Sequence, residues 1–216
     1  TGGCYDFEYI SKIKPFLFES IIRSATINRA TAPNCKIVFV FFHSKHIDIF
    51  AQKVAHLNIT IHIANSTERN TPYAFGAINR YHYMGKYLAD HRTEFDRVFF
   101  CDCRDVVMFT DAFGTFDNET VHFVGECYSN LTGVCSTFGT NRALRRWIKF
   151  LGRRIANTFI TANWTAINCG IFYGGTDAVL QVFMIVESTL KKWNLLKWGY
   201  DTAVFNYCYY MGLFDG

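Results

Sequence analysis

The chain has 216 residues, half of them apolar and 18% aromatic, with only 3 Pro and 15 Gly, which excludes a disordered, collagen-like or low-complexity polypeptide. Charged residues make up 19% and the net charge is +4, with Arg153-Arg154 and Lys191-Lys192 as the densest pairs. A charge so small and spread out supports a mild attraction to a small anionic ligand and no nucleic-acid partner.

Neither a linker nor an internal repeat interrupts the chain, so one domain over residues 1–216 is expected. Pro15 is a good first-turn residue, and Phe16, Ile21, Ile22 and Ala25 follow at helical spacing, which predicts a helix over Phe16 to Thr26. Lys36 to Phe42 reads as a strand buried on both faces, and its run Ile37 to Phe42 is the longest apolar stretch, far short of the ~20 residues of a membrane span. A second strand is expected at Leu57 to Ile63, a helix at Ala77 to His91, and strands at Asp96 to Cys101 and Val121 to Gly125. Asn141 to Ile155 reads as one basic amphipathic helix, Ala166 to Tyr173 as a strand and Ala178 to Leu190 as a helix, with Asp201 as the N-cap of a last one. Apolar strands alternating with helices predict an α/β domain whose central sheet is mostly parallel and flanked by helices. In such sheets ligands bind beyond the carboxyl ends of the strands.

Eight cysteines show neither a CxxC pair nor a zinc pattern, and their even number fits disulfides, with Cys127 and Cys135 flanking a loop-like stretch as the candidate pair. Five Asn-x-Ser/Thr triplets begin at Asn58, Asn65, Asn118, Asn130 and Asn163. Together these features predict a glycoprotein of the secretory pathway lumen (Golgi or endoplasmic reticulum) or the extracellular space. GxSxG, Walker and GxGxxG motifs and paired-His spacings are absent from the sequence.

The chemistry-bearing cluster is Asp102-Cys103-Arg104-Asp105, directly after the apolar run Val98-Phe-Phe-Cys101. Two carboxylates at a strand end suit a hard cation such as Mn²⁺ or Mg²⁺ with positions left for phosphate oxygens, and Arg104 suits a phosphate or a carboxylate. The bland alternative is a loop whose aspartates cap turns. Glu126, after the strand Val121 to Gly125, is another strand-end carboxylate. Tyr73, Phe75 and Tyr81 could stack on a base or sugar, although core packing is the commoner use of such residues.

The stretch FDRVFFCDCRDVVMFTDAF resembles the metal-binding segment of nucleotide-sugar glycosyltransferases of the GT-A fold, in which an apolar strand ends in a DxD-type motif. Ala166 to Gly175 (AINCGIFYGG) resembles that family's strand and turn lining the donor and acceptor pocket, and Gly199 to Asn206 (GYDTAVFN) resembles the segment whose Asp faces the reaction centre. The resemblance covers about residues 73–210. It implies a single Rossmann-like GT-A domain that transfers a sugar from a nucleotide-diphosphate donor to a hydroxyl of a glycan, protein or lipid acceptor. Asp102 and Asp105 would hold Mn²⁺ or Mg²⁺, and Asp201 would be catalytic. Arg80, Lys86, Arg104, Glu126, Asn168, Gly170, Gly174 and Gly175 would contact donor or acceptor. Thr202 stands where the family usually has Gln, and the last His is His122, so the family's C-terminal His ligand is either absent or lies beyond residue 216. Thr1 to Cys4 resembles the tail of a first strand, so the GT-A domain reads as incomplete at both ends. The alternatives are a catalytically inactive GT-A-like structural or interaction glycoprotein, and a nucleotide-sugar hydrolase using the same carboxylates.

Overall fold

A computed structural model describes residues 2–64, 73–127, 134–194 and 199–215; of these, the side chains of 2–4, 43 and 73–78 are not described. The first half builds a parallel sheet. Strand β1 (Gly2–Asp6) leads through helices α1 (Phe7–Ile13) and α2 (Pro15–Thr31) to β2 (Ile37–Lys45). Helix α3 (Ile47–Val54) then leads to β3 (Ile59–Ile63). Asp6 caps α1 by accepting from the Tyr9 N–H, which is why a helix follows the strand without a linker. The sheet order is β1-β2-β3, and both pairings are parallel.

Residues alternate along β2 between two apolar layers, as a strand buried on both faces requires. Phe39 and Phe41 join Phe7, Ile21 and Phe50 on one side, while Val40 and Phe42 join Tyr81, Met84, Phe100 and Phe183 on the other. Phe7 stacks on Phe50 with ring centroids 5.1 Å apart, and Phe100 meets Phe183 edge-on at 5.2 Å. Aromatic side chains of this kind each remove a large area from water.

The second half is built differently. After α4 (Tyr73–Asp90) come β4 (Arg97–Cys101), β5 (Val121–Gly125), α5 (Arg142–Ile148), α6 (Arg153–Ala162) and β6 (Ile167–Gly175). Helices α7 (Thr176–Lys192) and α8 (Tyr200–Tyr210) complete it. The sheet order is β4-β6-β5, and β6 runs antiparallel to both neighbours. The fold is therefore mixed α/β, as expected, but the single mostly parallel sheet is corrected, among the described residues, to one parallel and one antiparallel sheet of three strands each. Apolar periodicity reports burial and is blind to strand direction, which explains the error. Among the described residues the two sheets are separate, and within the first one β1 pairs with β2 from Gly2 opposite Val40 onward. Lys36, with Val38 and Val40 of β2, lines an open cavity of about 490 Å³ together with the residues from Phe95 to Phe100.

Two other expectations are corrected. The basic helix over 141–155 is two helices, α5 and α6, because Gly152 adopts φ 100° and ψ 155°, a conformation that ends the first helix and that side chains disfavour. Asp201 is not the N-cap of α8: Gly199 holds that position, and the Asp201 side chain turns inward to a different partner. No helix among the described residues is long and apolar enough to cross a membrane.

Candidate functional site

The ends of β4 and β5 and the start of β6 form one rim, since β6 runs opposite to its neighbours. Asp102 extends the β4–β6 ladder one residue past the strand, its N–H donating to Gly170 O at 2.8 Å. The start of β6 is pinned from α8: buried Asn206 accepts from Ile167 N at 2.7 Å and donates to Ile167 O at 2.9 Å. Asn168 Oδ1 accepts from Gly170 N at 2.7 Å, which fixes the local turn. Gly170 lies under the Asp102 carboxylate, and a Cβ there would sit 2.8 Å from Asp102 Cγ.

Arg80 of α4 ties the rim together. Its Nη1 donates to Asp102 Oδ1 at 3.0 Å, and its Nη2 donates to Asp201 Oδ2 at 2.9 Å and Cys169 Sγ at 3.1 Å. The Tyr81 hydroxyl lies 3.3 Å from the same nitrogen and 3.5 Å from Cys169 O, and Thr202 Oγ1 lies 3.4 Å from Cys169 Sγ. Arg80 is 8% exposed and Asp201 5%, whereas nearly half of the Asp102 side chain is open. Arg80 Nε is buried with no hydrogen-bond partner among the described residues, so the guanidinium is held by its two outer nitrogens.

Burial works against the charge on Arg80, but Tyr81, Cys169, Asp102 and Asp201 outweigh it and keep the guanidinium protonated far above neutral pH. Burial pushes the Asp201 carboxyl up from its ordinary value, against the pull of Arg80. Burial, reinforced by Asp201, pushes the Cys169 thiol up to about 12, so it is a neutral S–H and not a thiolate nucleophile. Burial likewise raises the neighbouring Tyr81 phenol.

Of the residues expected at the site, the structure brings Arg80, Asp102, Asn168, Gly170 and Asp201 together. Arg104 and Asp105 follow on the exposed side, Arg104 Nε 3.6 Å from Asp105 Oδ2, while Cys103 between Asp102 and Arg104 is buried. Glu126 sits at the same rim on the far side of β6, its N–H donating to Ala166 O at 2.7 Å, and partial burial raises its carboxyl pKa. Lys86 points elsewhere, pairing with Asp90 on the outer surface of α4 at 3.0 Å. Gly174 and Gly175 stand at the opposite end of β6, paired with Val98 and Arg97. They let the 118–121 segment approach, since a Cβ on Gly174 would sit 2.8 Å from Val121 Cα.

Tyr81 packs in the core beside Arg80. Tyr73 and Phe75 side chains lie outside what is described. Cys127 and Cys135 form a disulfide. Asn58, Asn118 and Asn163 are exposed, as a glycan acceptor would need, and Asn65 and Asn130 lie outside the described residues. The sequence reading missed Cys169 and Tyr81 as partners of Arg80. The signal for Arg80 itself was present: it shares the helical stripe of Tyr81, Met84 and Leu88, whereas Lys86 does not.

Among the described residues no three His, Cys, Asp or Glu side chains gather as a ligand set. Asp102 and Asp105 each carry a half-exposed carboxylate, a hard oxygen donor of the type Mg²⁺ or Mn²⁺ takes in preference to a softer metal. No protein-family model matches the chain, and no curated protein matches it.

Proposed function

We propose that this chain is a GT-A-type glycosyltransferase domain that moves a sugar from a nucleoside-diphosphate donor to a hydroxyl acceptor on a glycan, protein or lipid. The observation that supports this most is the meeting of Arg80, Asp102, Gly170 and Asp201, from four separate segments, at one strand-end rim. Asp102 and Asp105 would hold Mn²⁺ or Mg²⁺, which when bound supplies charge neutralisation for a departing nucleoside diphosphate. Arg80 fixes the Asp102 carboxylate through Oδ1, and the missing side chain at Gly170 leaves room for Oδ2. Asp201 in this arrangement positions Arg80 through Oδ2, and because it is buried an acceptor hydroxyl can give its proton to Asp201 only where it reaches into the cluster. Glu126, with its raised pKa, is a second carboxyl at the rim suited to holding a proton. The Cys127–Cys135 disulfide and three exposed sequon asparagines support residence in the secretory lumen or outside the cell.

A second reading has one observation in its favour. Arg80 already pairs with both Asp102 and Asp201 with no ligand required, so the cluster would also suit a catalytically inactive structural glycoprotein of the same fold. Calorimetric titration of nucleoside diphosphates with Mn²⁺ separates the two. The transferase reading expects metal-dependent binding by the wild type that is lost in the Asp102→Ala, Asp105→Ala double variant. A folded wild type that binds none of the panel leaves the structural reading.

A further inference from the structure

We propose that the face formed by α5, the Lys149–Leu151 turn and the start of α6 binds a polyanionic polysaccharide, one bearing sulfate or carboxylate groups along its length. The inference goes beyond the transferase reading and does not depend on it. The small net charge conceals a segregation. Between residues 127 and 176 there is no Asp or Glu, and the six cations there are Arg142, Arg145, Arg146, Lys149, Arg153 and Arg154. Setting those 6 aside leaves 16 Lys and Arg against 18 Asp and Glu, so the rest of the chain is net −2.

All six side chains are exposed, and among the described residues none makes an ion pair. Positions 142, 145, 146 and 149 recur at three- and four-residue spacing, so they form one stripe along α5 and the turn after it. Gly152 turns the chain and sets Arg153 and Arg154 directly after that stripe. Those two arginines also oppose the dipole of α6, whose first turn contains no acidic residue. Among the described residues no ion pair relieves the repulsion within the face, and an external polyanion would relieve it.

Three observations select the polysaccharide. Five of the six cations are Arg, whose planar fork meets sulfate and carboxylate groups in a bidentate manner. A membrane-binding helix needs a free apolar face. Here Leu144, Ile148, Ala156 and Phe159 are buried in the protein core, which leaves Phe150 as the exposed large apolar side chain of the face. The disulfide points to an oxidising compartment, where sulfated and carboxylated glycans occur and nucleic acids are scarce. The face also adjoins the candidate site: Trp147 packs on Gly199, and the Phe150 ring lies 4.2 Å from that of Tyr200, next to Asp201.

The test is titration of the 216-residue chain with size-defined heparin oligosaccharides. Parallel titrations use neutral dextran, vesicles of phosphatidylserine with phosphatidylcholine, and a single-stranded DNA of matched charge. Binding to heparin that weakens on the order of tenfold or more in Arg145→Glu with Arg146→Glu supports the proposal. Lys45→Glu with Lys53→Glu carries the same charge change elsewhere and is expected to bind like the wild type. Arg153→Glu with Arg154→Glu is a second probe that favours the α6 dipole, so its loss of binding cannot be assigned to unfolding. Equal loss in the Lys45, Lys53 variant, tighter binding to vesicles or DNA than to heparin, or no heparin binding by the wild type overturns it. Nucleotide titration with Mn²⁺ is read separately and is expected to survive the Arg145, Arg146 change.

Discussion

Two arginine-bearing regions of this protein treat the same side chain in opposite ways. Arg80 is buried, and its outer nitrogens reach Asp102, Asp201 and Cys169. Arg142, Arg145, Arg146, Arg153 and Arg154 are exposed on α5 and α6, with no carboxylate between residues 127 and 176. Taking an ion out of water costs several kcal/mol, so a buried cation persists only where counter-charges meet it with good geometry. An exposed cation keeps its hydration and can be left without a partner. The first arrangement fixes geometry within the fold, and the second leaves charge available to something outside it.

The strongest way to break the contrast is Arg80→Met. It strands the buried Asp201 carboxylate, and about 3–5 kcal/mol of stability is expected to disappear in urea unfolding. A loss below about 1 kcal/mol would mean that Asp201 is solvated and that the cluster is not a buried network.

Gly170→Ala attacks the same network from beneath, because the new Cβ would crowd the Asp102 carboxylate that Arg80 holds. A destabilisation of about 1–3 kcal/mol is expected, with weaker nucleotide binding where the wild type binds. An unchanged melting temperature would show that Asp102 shifts freely.

Asp201→Asn sharpens the comparison through pH. Burial places the native pKa of Asp201 above that of the unfolded chain, so its carboxyl contributes fully to stability below the unfolded value and loses that contribution as pH rises through the native one. The stability of the wild type relative to Asp201→Asn is therefore expected to fall as pH rises above about 4, measured by urea midpoints at matched ionic strength. A difference that stays flat or grows with pH would mean that Arg80 dominates the titration.

The smallest effect is expected on the exposed side. Arg145→Ala or Arg146→Ala is expected to move stability by no more than about 0.5 kcal/mol, with an increase at low salt from relieved repulsion. A loss comparable to that of Arg80→Met would show that these arginines have structural partners.

Much of this contrast is legible in the amino-acid order alone. The run Ile37 to Phe42 announces a strand buried on both faces, and the carboxylates after Val98 to Cys101 announce a rim. What the sequence hides is pairing. Asp201 looks like a helix cap because Asp often is one, and only the arrival of Arg80 from 121 residues away turns it inward. Lys86 and Arg80 are equivalent as charges, but the stripe of Tyr81, Met84 and Leu88 carries one inward and leaves the other outside. Strand direction is invisible for the same reason, since an antiparallel β6 buried on the core side has the apolar content of a parallel one.

The span of the Arg80 cluster also bears on how the molecule assembles. Its members sit at positions 80, 102, 169 and 201, so no local stretch of chain can form any of its bonds from α4 early. Each contact closes a long loop and must await the docking of α4, β4, β6 and α8. The candidate site is therefore expected to be completed late in folding, and a half-folded chain to lack it.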